Sequence, residues 1–96
     1  MKNILLFGAG KSSSACISYL AHQSTIHQWH FTVADADLQL IQSKTNNFPW
    51  VTPIQIDINN DEERKSLIEA ADVVISMMPP ALHYLIAQDC LHFSKH

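Results

Sequence analysis

The stretch Ile4-Leu5-Leu6-Phe7-Gly8-Ala9-Gly10-Lys11-Ser12-Ser13 decides how this chain of 96 residues is read. A short apolar run ends abruptly in Gly8-Ala9-Gly10, and a small-residue segment continues to Cys16. That is the pattern of a strand turning tightly into a helix, the βα turn with which a dinucleotide-binding fold begins. Gly8 lets the strand end in a tight turn. Gly10 has no side chain, so a pyrophosphate can approach its backbone. The N–H groups of residues 11–13 are then expected to point at the phosphates from a helix N-terminus. The third glycine of G-x-G-x-x-G is replaced by Ser13, whose side chain is still small enough for close helix–strand packing. A strand–turn–helix without a ligand is the plain alternative.

Gly10-Lys11-Ser12 also matches the end of a P-loop, whose first glycine would fall at position 5. Leu5 stands there, inside the strand, so no long loop exists to wrap phosphates. Asp72 begins its strand rather than ending it, which leaves no carboxylate placed for Mg²⁺. The nucleotide-triphosphatase reading is set aside.

The length allows one domain, and 47% hydrophobic residues with only two glycines indicate a packed chain rather than a disordered one. A formal net charge of −3 offers no basic footprint for nucleic acid. No apolar run approaches the ~20 residues of a membrane span, so no membrane partner is expected. The chain enters a strand at once, without the regions of a signal peptide, so a cytoplasmic protein is expected. Cys16 and Cys90 occupy apolar helix positions outside any C-x-x-C pair and are expected as buried thiols. His27 and His30 form an H-x-x-H, but the segment runs into a strand with no further ligand at metal-binding spacing. His22, His92 and His96 read as solvated helix ends, and no metal site is expected.

Strands and helices alternate along the chain. Strands are expected at about Asn3–Phe7, Trp29–Ala34, Val51–Ile56 and Asp72–Ser76. Helices are expected at about Ser12–His22, Ala36–Ser43 and Asp61–Ala71, with a fourth starting at Pro80, and Thr25–Gln28 reads as a loop. Pro53 confines the third strand to a start or an edge, and the unbroken apolar fourth strand is expected to be buried on both faces. The helix core faces are Cys16, Ile17 and Leu20; Leu38 and Ile41; Leu67 and Ile68; and Leu82, Leu85 and Ile86. Repeated βα units give a Rossmann-type doubly wound parallel sheet of order 3-2-1-4, short of the strands that complete a full dinucleotide-binding domain.

Asp35 follows Ser13 by 22 residues, near the ~20 expected for the acid that accepts from the adenosine ribose hydroxyls. It would repel a 2′-phosphate, and Ala36 rather than a basic residue follows, so NAD is favoured over NADP. A helix N-cap is the alternative role for Asp35; Asp37 is expected to support the first turn of its helix. Asp57 closes the third strand at the same sheet edge, where it could meet the adenine amino group or simply shape the loop. Ile58 could pack on the adenine face. Ser76, Met77, Met78 and Pro79 end the fourth strand beside the topological switch point, where their backbone would face the pyrophosphate and nicotinamide ribose; a core role for the Met pair is the alternative.

The stretch Asp72-Val73-Val74-Ile75-Ser76-Met77-Met78-Pro79-Pro80-Ala81-Leu82-His83, with Ile86, Ala87 and Cys90, resembles the N-terminal domain of the saccharopine dehydrogenase family. The Gly8-Ala9-Gly10 turn, Thr32-Val33-Ala34-Asp35 and Gln55-Ile56-Asp57-Ile58-Asn59 are similar to that family's strand ends. The resemblance implies an NAD(P)-dependent oxidoreductase of lysine and amino-acid metabolism, moving a hydride at a C–N bond. It implies that Gly8, Gly10, Lys11 and Ser12 contact pyrophosphate, Asp35 the ribose, Asp57 the adenine region, and Met78 and Pro79 the nicotinamide side. The substrate pocket and the acid–base groups would come from a C-terminal substrate domain outside these residues. No catalytic residue is named; His83 is the one titratable candidate near the nicotinamide end. Two other readings stand beside this one: a Rossmann module that binds NAD(H) as a sensor or subunit without catalysis, and a reductase of the epimerase type, for which no Tyr-x-x-x-Lys pair is present.

The fourth strand would be an open apolar edge, which invites pairing with a second copy or with further chain. Light scattering after size exclusion at high concentration tests the first of these: a homodimer supports pairing through that edge, and a monodisperse monomer rules it out.

Overall fold

The structure is a computed structural model that describes residues 2–10 and 13–93, apart from the side chains of residues 80 and 81. Strand β1 (Asn3–Phe7) lies inside a parallel four-stranded sheet of order β3-β2-β1-β4, with β2 at His30–Asp35, β3 at Thr52–Gln55 and β4 at Val73–Ser76. The register sets Leu6 opposite Val33 on one side and Ile75 on the other. Side chains of β1 alternate between the faces of the sheet. Ile4 and Leu6 join Phe31, Val33, Ile17, Ala21 and Ile41 in one core, under helices α1 (Ser14–His27) and α2 (Leu38–Thr45). Leu5 and Phe7 join Ala34, Ile56, Ile68 and Ile86 in the other, under α3 (Asp61–Ala70) and α4 (Pro80–His92). The expected Rossmann-type order is the one found.

Helix α1 runs further than its sequence suggests. The stretch Thr25–Gln28, expected as a loop, instead carries the helix on to His27; Thr25 Oγ1 bonds back to the His22 carbonyl, as the preceding Ser24 Oγ does to Ala21. The helix stops at Gln28, whose left-handed φ of 57° turns the chain while its N–H donates to the Ser24 carbonyl. His22 therefore sits in mid-helix, edge-on to Phe48, rather than at a helix end. His92 does end α4, and His96 lies outside the described residues. Helix α2 begins two residues later than expected, because Asp37 Oδ1 caps it by accepting from the Leu40 N–H. Asn60 caps α3 in the same way through Glu63, and Pro53 lies in the edge strand β3 as read.

Two expectations about burial are corrected. Strand β4 is half-buried along its whole length rather than buried on both faces, since it is the outer strand of the sheet. Beside it runs a groove of about 370 Å³ lined by Val74, His83, Ile86, Cys90 and Leu91, with Leu91 83% exposed. Cys16 and Cys90 are half-buried free thiols, not fully buried ones.

The inner face of α3 carries a residue that its apolar pattern hides. Arg64 is only 3% exposed. Its Nε donates to Asp89 Oδ2 of α4 at 2.6 Å, Nη1 to the Ile58 carbonyl at 2.5 Å and Nη2 to Asp61 Oδ1 at 2.7 Å. Burial works against the charged guanidinium, but the bonds and charges of Asp89 and Asp61 more than offset it, and its pKa lies above the ordinary arginine value. Removing one partner of such a pair strands a buried charge. Arg64→Met is therefore expected to cost about 3–5 kcal/mol in urea unfolding, and adding Asp89→Leu to recover most of that loss. An equal loss in the single and double variants would contradict this account.

Candidate cofactor cleft

At the carboxyl ends of β1, β2 and β4 the sheet opens into a cleft of about 550 Å³, within the size range of small-molecule sites. Its floor is the turn after β1. Gly8 adopts φ +106°, and a Cβ there would lie 3.1 Å from the Met77 backbone carbon and oxygen and 3.2 Å from Met78 Sδ. Both the conformation and the close approach of the β4 end therefore require glycine. Gly10 differs: among the described residues a Cβ added there meets nothing within 4 Å, which leaves room on that side for a ligand backbone.

Asp35 forms the wall at the end of β2. Its Oδ2 accepts from the Ala9 N–H at 2.8 Å and its Oδ1 from the Asp37 N–H at 3.1 Å. These charge-assisted bonds orient the carboxylate and tie the glycine turn to β2. Each oxygen keeps a further lone pair for an outside donor. The N-cap of α2 is Asp37, not Asp35. Among the described residues lining the cleft, Asp35 is the only charged one. Met77, Met78, Pro79 and Leu82 line the opposite wall.

Next to the cleft, and sharing Ala36 with it, lies a depression of about 310 Å³ lined also by Gln55, Asp57, Asn60 and Glu63. Gln55 Nε2 donates to the Ala36 carbonyl and so joins the ends of β2 and β3. Asp57 Oδ1 accepts from the Asn59 N–H at 3.0 Å, closing the turn that leads into α3.

Gly8, Gly10, Ser13, Asp35, Met78 and Pro79 are thus brought together, and Asp57 stands beside them. Lys11 and Ser12 lie outside the described residues. Ser13 is corrected as a phosphate contact. It is 1% exposed, and both its N–H and its hydroxyl donate to the Gly10 carbonyl, so it packs and closes the turn. Ile58 is corrected as an adenine platform: it is 3% exposed and packed in the core of Ile56, Ile68 and Ile86. His83 lines the groove beside β4 rather than the cleft. Burial, and then the neighbouring Asp89 charge, push the Cys90 thiol up, which argues against a nucleophilic role. Sequence reading missed Arg64 and Asp89. The signal was there in their spacing: Arg64 stands four residues before Ile68 and Asp89 three after Ile86, opposite charges on two core-facing helix faces.

The two glycines make distinct predictions. Gly8→Ala is expected to destabilise the fold by about 2–3 kcal/mol. Gly10→Ala is expected to leave the urea midpoint unchanged and to weaken ADP binding on the order of tenfold or more. Unaltered ADP affinity in Gly10→Ala would mean that this turn does not hold a pyrophosphate.

Comparison with known proteins agrees with this geometry. The family model described as "Saccharopine dehydrogenase NADP binding domain" matches residues 4–96. The mitochondrial alpha-aminoadipic semialdehyde synthase of Mus musculus is 28% identical over 91 residues, covering 94% of this chain and 9% of that protein. The alpha-aminoadipic semialdehyde synthase of Arabidopsis thaliana is 24% identical over 110 residues, covering 97% and 10%. Apo saccharopine dehydrogenase (L-Glu forming) from Saccharomyces cerevisiae superposes with a TM-score of 0.86 at 25% identity, covering 99% of this chain and 20% of that one. The chain spans about a tenth of the length of the curated relatives it matches. With a glycine turn, an acid at the end of β2 and a family match over residues 4–96, the chain belongs to the saccharopine dehydrogenase NADP binding domain family.

Proposed function

We propose that this domain binds its nicotinamide dinucleotide as NAD(H) and serves an oxidoreductase of amino-acid metabolism acting at a C–N bond of a saccharopine-like compound. In this reading the backbone at Gly8 and Gly10 takes the pyrophosphate. Asp35 accepts from the adenosine ribose hydroxyls with the lone pairs left free by Ala9 and Asp37. The depression at Asp57 takes the adenine, and Met78 and Pro79 border the nicotinamide half. The bound cofactor supplies the hydride acceptor or donor. Acid–base groups are assigned to a substrate domain outside this chain, because Asp35, read here as the ribose acceptor, is the only titratable group among the described residues lining the cleft.

One observation carries the cofactor choice. The family is named for NADP, yet the charged residue at the ribose position here is a carboxylate, with Ala36 after it. A 2′-phosphate placed against Asp35 meets like charge in a partly desolvated site and loses its hydrogen bonds to water without replacement. Calorimetric titration with NAD, NADH, NADP and NADPH tests this. NAD and NADH are expected to bind about tenfold tighter than their phosphorylated forms. Asp35→Asn, which removes the charge but keeps an acceptor for the Ala9 N–H, should narrow that gap. Equal affinities in the parent chain, or tighter NADP, would overturn the NAD assignment.

A further inference from the structure

The turn that borders the proposed adenine depression is held from beneath by a side chain of the next helix. Residues 57–60 leave β3 and enter α3, with Asp57 and Asn60 facing the depression and the Ile58 side chain in the core. The Ile58 carbonyl accepts from Arg64 Nη1. The same guanidinium reaches back to Asp61 at the start of α3 and across to Asp89 of α4. Helix α4 in turn carries Leu82, which lines the cleft on its nicotinamide side. One buried group is therefore bonded to the turn beneath the adenine side and to the helix that walls the opposite side.

We propose that Arg64, oriented by Asp89, is a positioning residue for the adenine half of the cofactor: its bond to the Ile58 carbonyl sets the height of the turn that presents Asp57 and Asn60. The inference rests on the dinucleotide reading of the cleft. Its physical basis is directional. A guanidinium is planar, and its donors leave in fixed directions, so three acceptors satisfied at once define its position. An apolar pair of similar volume can fill the same space and hold the helices together but offers no donor to the carbonyl.

That difference separates positioning from stability. The test compares the parent chain with the Arg64→Met/Asp89→Leu double variant by calorimetric and NMR titration with two probes, ADP and inorganic pyrophosphate. The double variant is expected to bind ADP roughly tenfold more weakly and pyrophosphate as the parent does, because the glycine turn is untouched. Shifts of the Asn59 and Asn60 amides on adding ADP should shrink with the affinity. If both probes bind as in the parent, or if both weaken together, Arg64 acts on stability alone and the inference is overturned. If the double variant does not fold, Arg64→Lys carries the same comparison, since a single ammonium keeps the charge beside Asp89 without the three-way geometry. If the parent itself binds neither probe, the dinucleotide reading fails and this inference falls with it; parent binding with an unchanged variant overturns the inference alone.

Discussion

The carboxyl end of this sheet depends on how closely β4 approaches the turn after β1. The backbone at Gly8 runs so near Met77 that a single methyl would lie 3.1 Å from its carbonyl group. That contact is possible because Gly8 takes φ +106°, which side-chain-bearing residues rarely adopt. The ladders continue on either side of it, with the Gly8 N–H donating to Ala34 and the Met77 N–H to Phe7. The three strand ends are thereby locked at one level, and the glycine turn has a floor it cannot sink through. The turn is held at that height, and among the described residues nothing fills the space that a Cβ at Gly10 would take.

Asp35 then gives the turn its orientation. A carboxylate at the end of a buried strand needs donors, and the chain supplies two of them from its own backbone, one on each side of the cleft wall. The same two bonds hold the carboxylate at the cleft wall. The functional reading of Asp35 therefore does not compete with a capping role. The cap of α2 is assigned elsewhere, to Asp37.

The architecture was legible because its signals are local and periodic. Apolar β1 ends in glycine, acids open α3, Pro53 marks the edge strand, and the spacing to Asp35 places it beside the turn. What sequence reading lost depends on where a side chain goes rather than on what it is. The run Thr25–Gln28 reads as a loop, yet the hydroxyls of Ser24 and Thr25 satisfy themselves on the preceding turn and the helix continues to His27. Ile58 reads as an exposed loop residue beside a ligand, but the alternation of Ile54, Ile56 and Ile58 carries it inward with the core. Ser13 reads as a small packing position and as a contact, but its hydroxyl turns back onto the Gly10 carbonyl in a buried setting. Arg64 and Asp89 were missed since a charge on an amphipathic helix is normally assigned to water.

The two faces of the sheet are held by different physics, and the difference follows from what each face supports. Under α1 and α2 the core is apolar and keeps β1 and β2 packed, with Leu40 of α2 reaching the cleft. Under α3 and α4 the elements support the cleft from both ends: the turn after β3 on one side and the start of α4 on the other. An apolar contact tolerates sliding because dispersion is nearly indifferent to direction. A buried ion pair contributes little net stability, since desolvation consumes most of its Coulomb gain. Its bonds are nonetheless directional, and a guanidinium bound to a carbonyl and two carboxylates admits one register of α3 on α4. A costly polar group in the α3–α4 core, bonded to the turn after β3 and to the helix that brings Leu82 to the cleft, fixes geometry more than it adds stability.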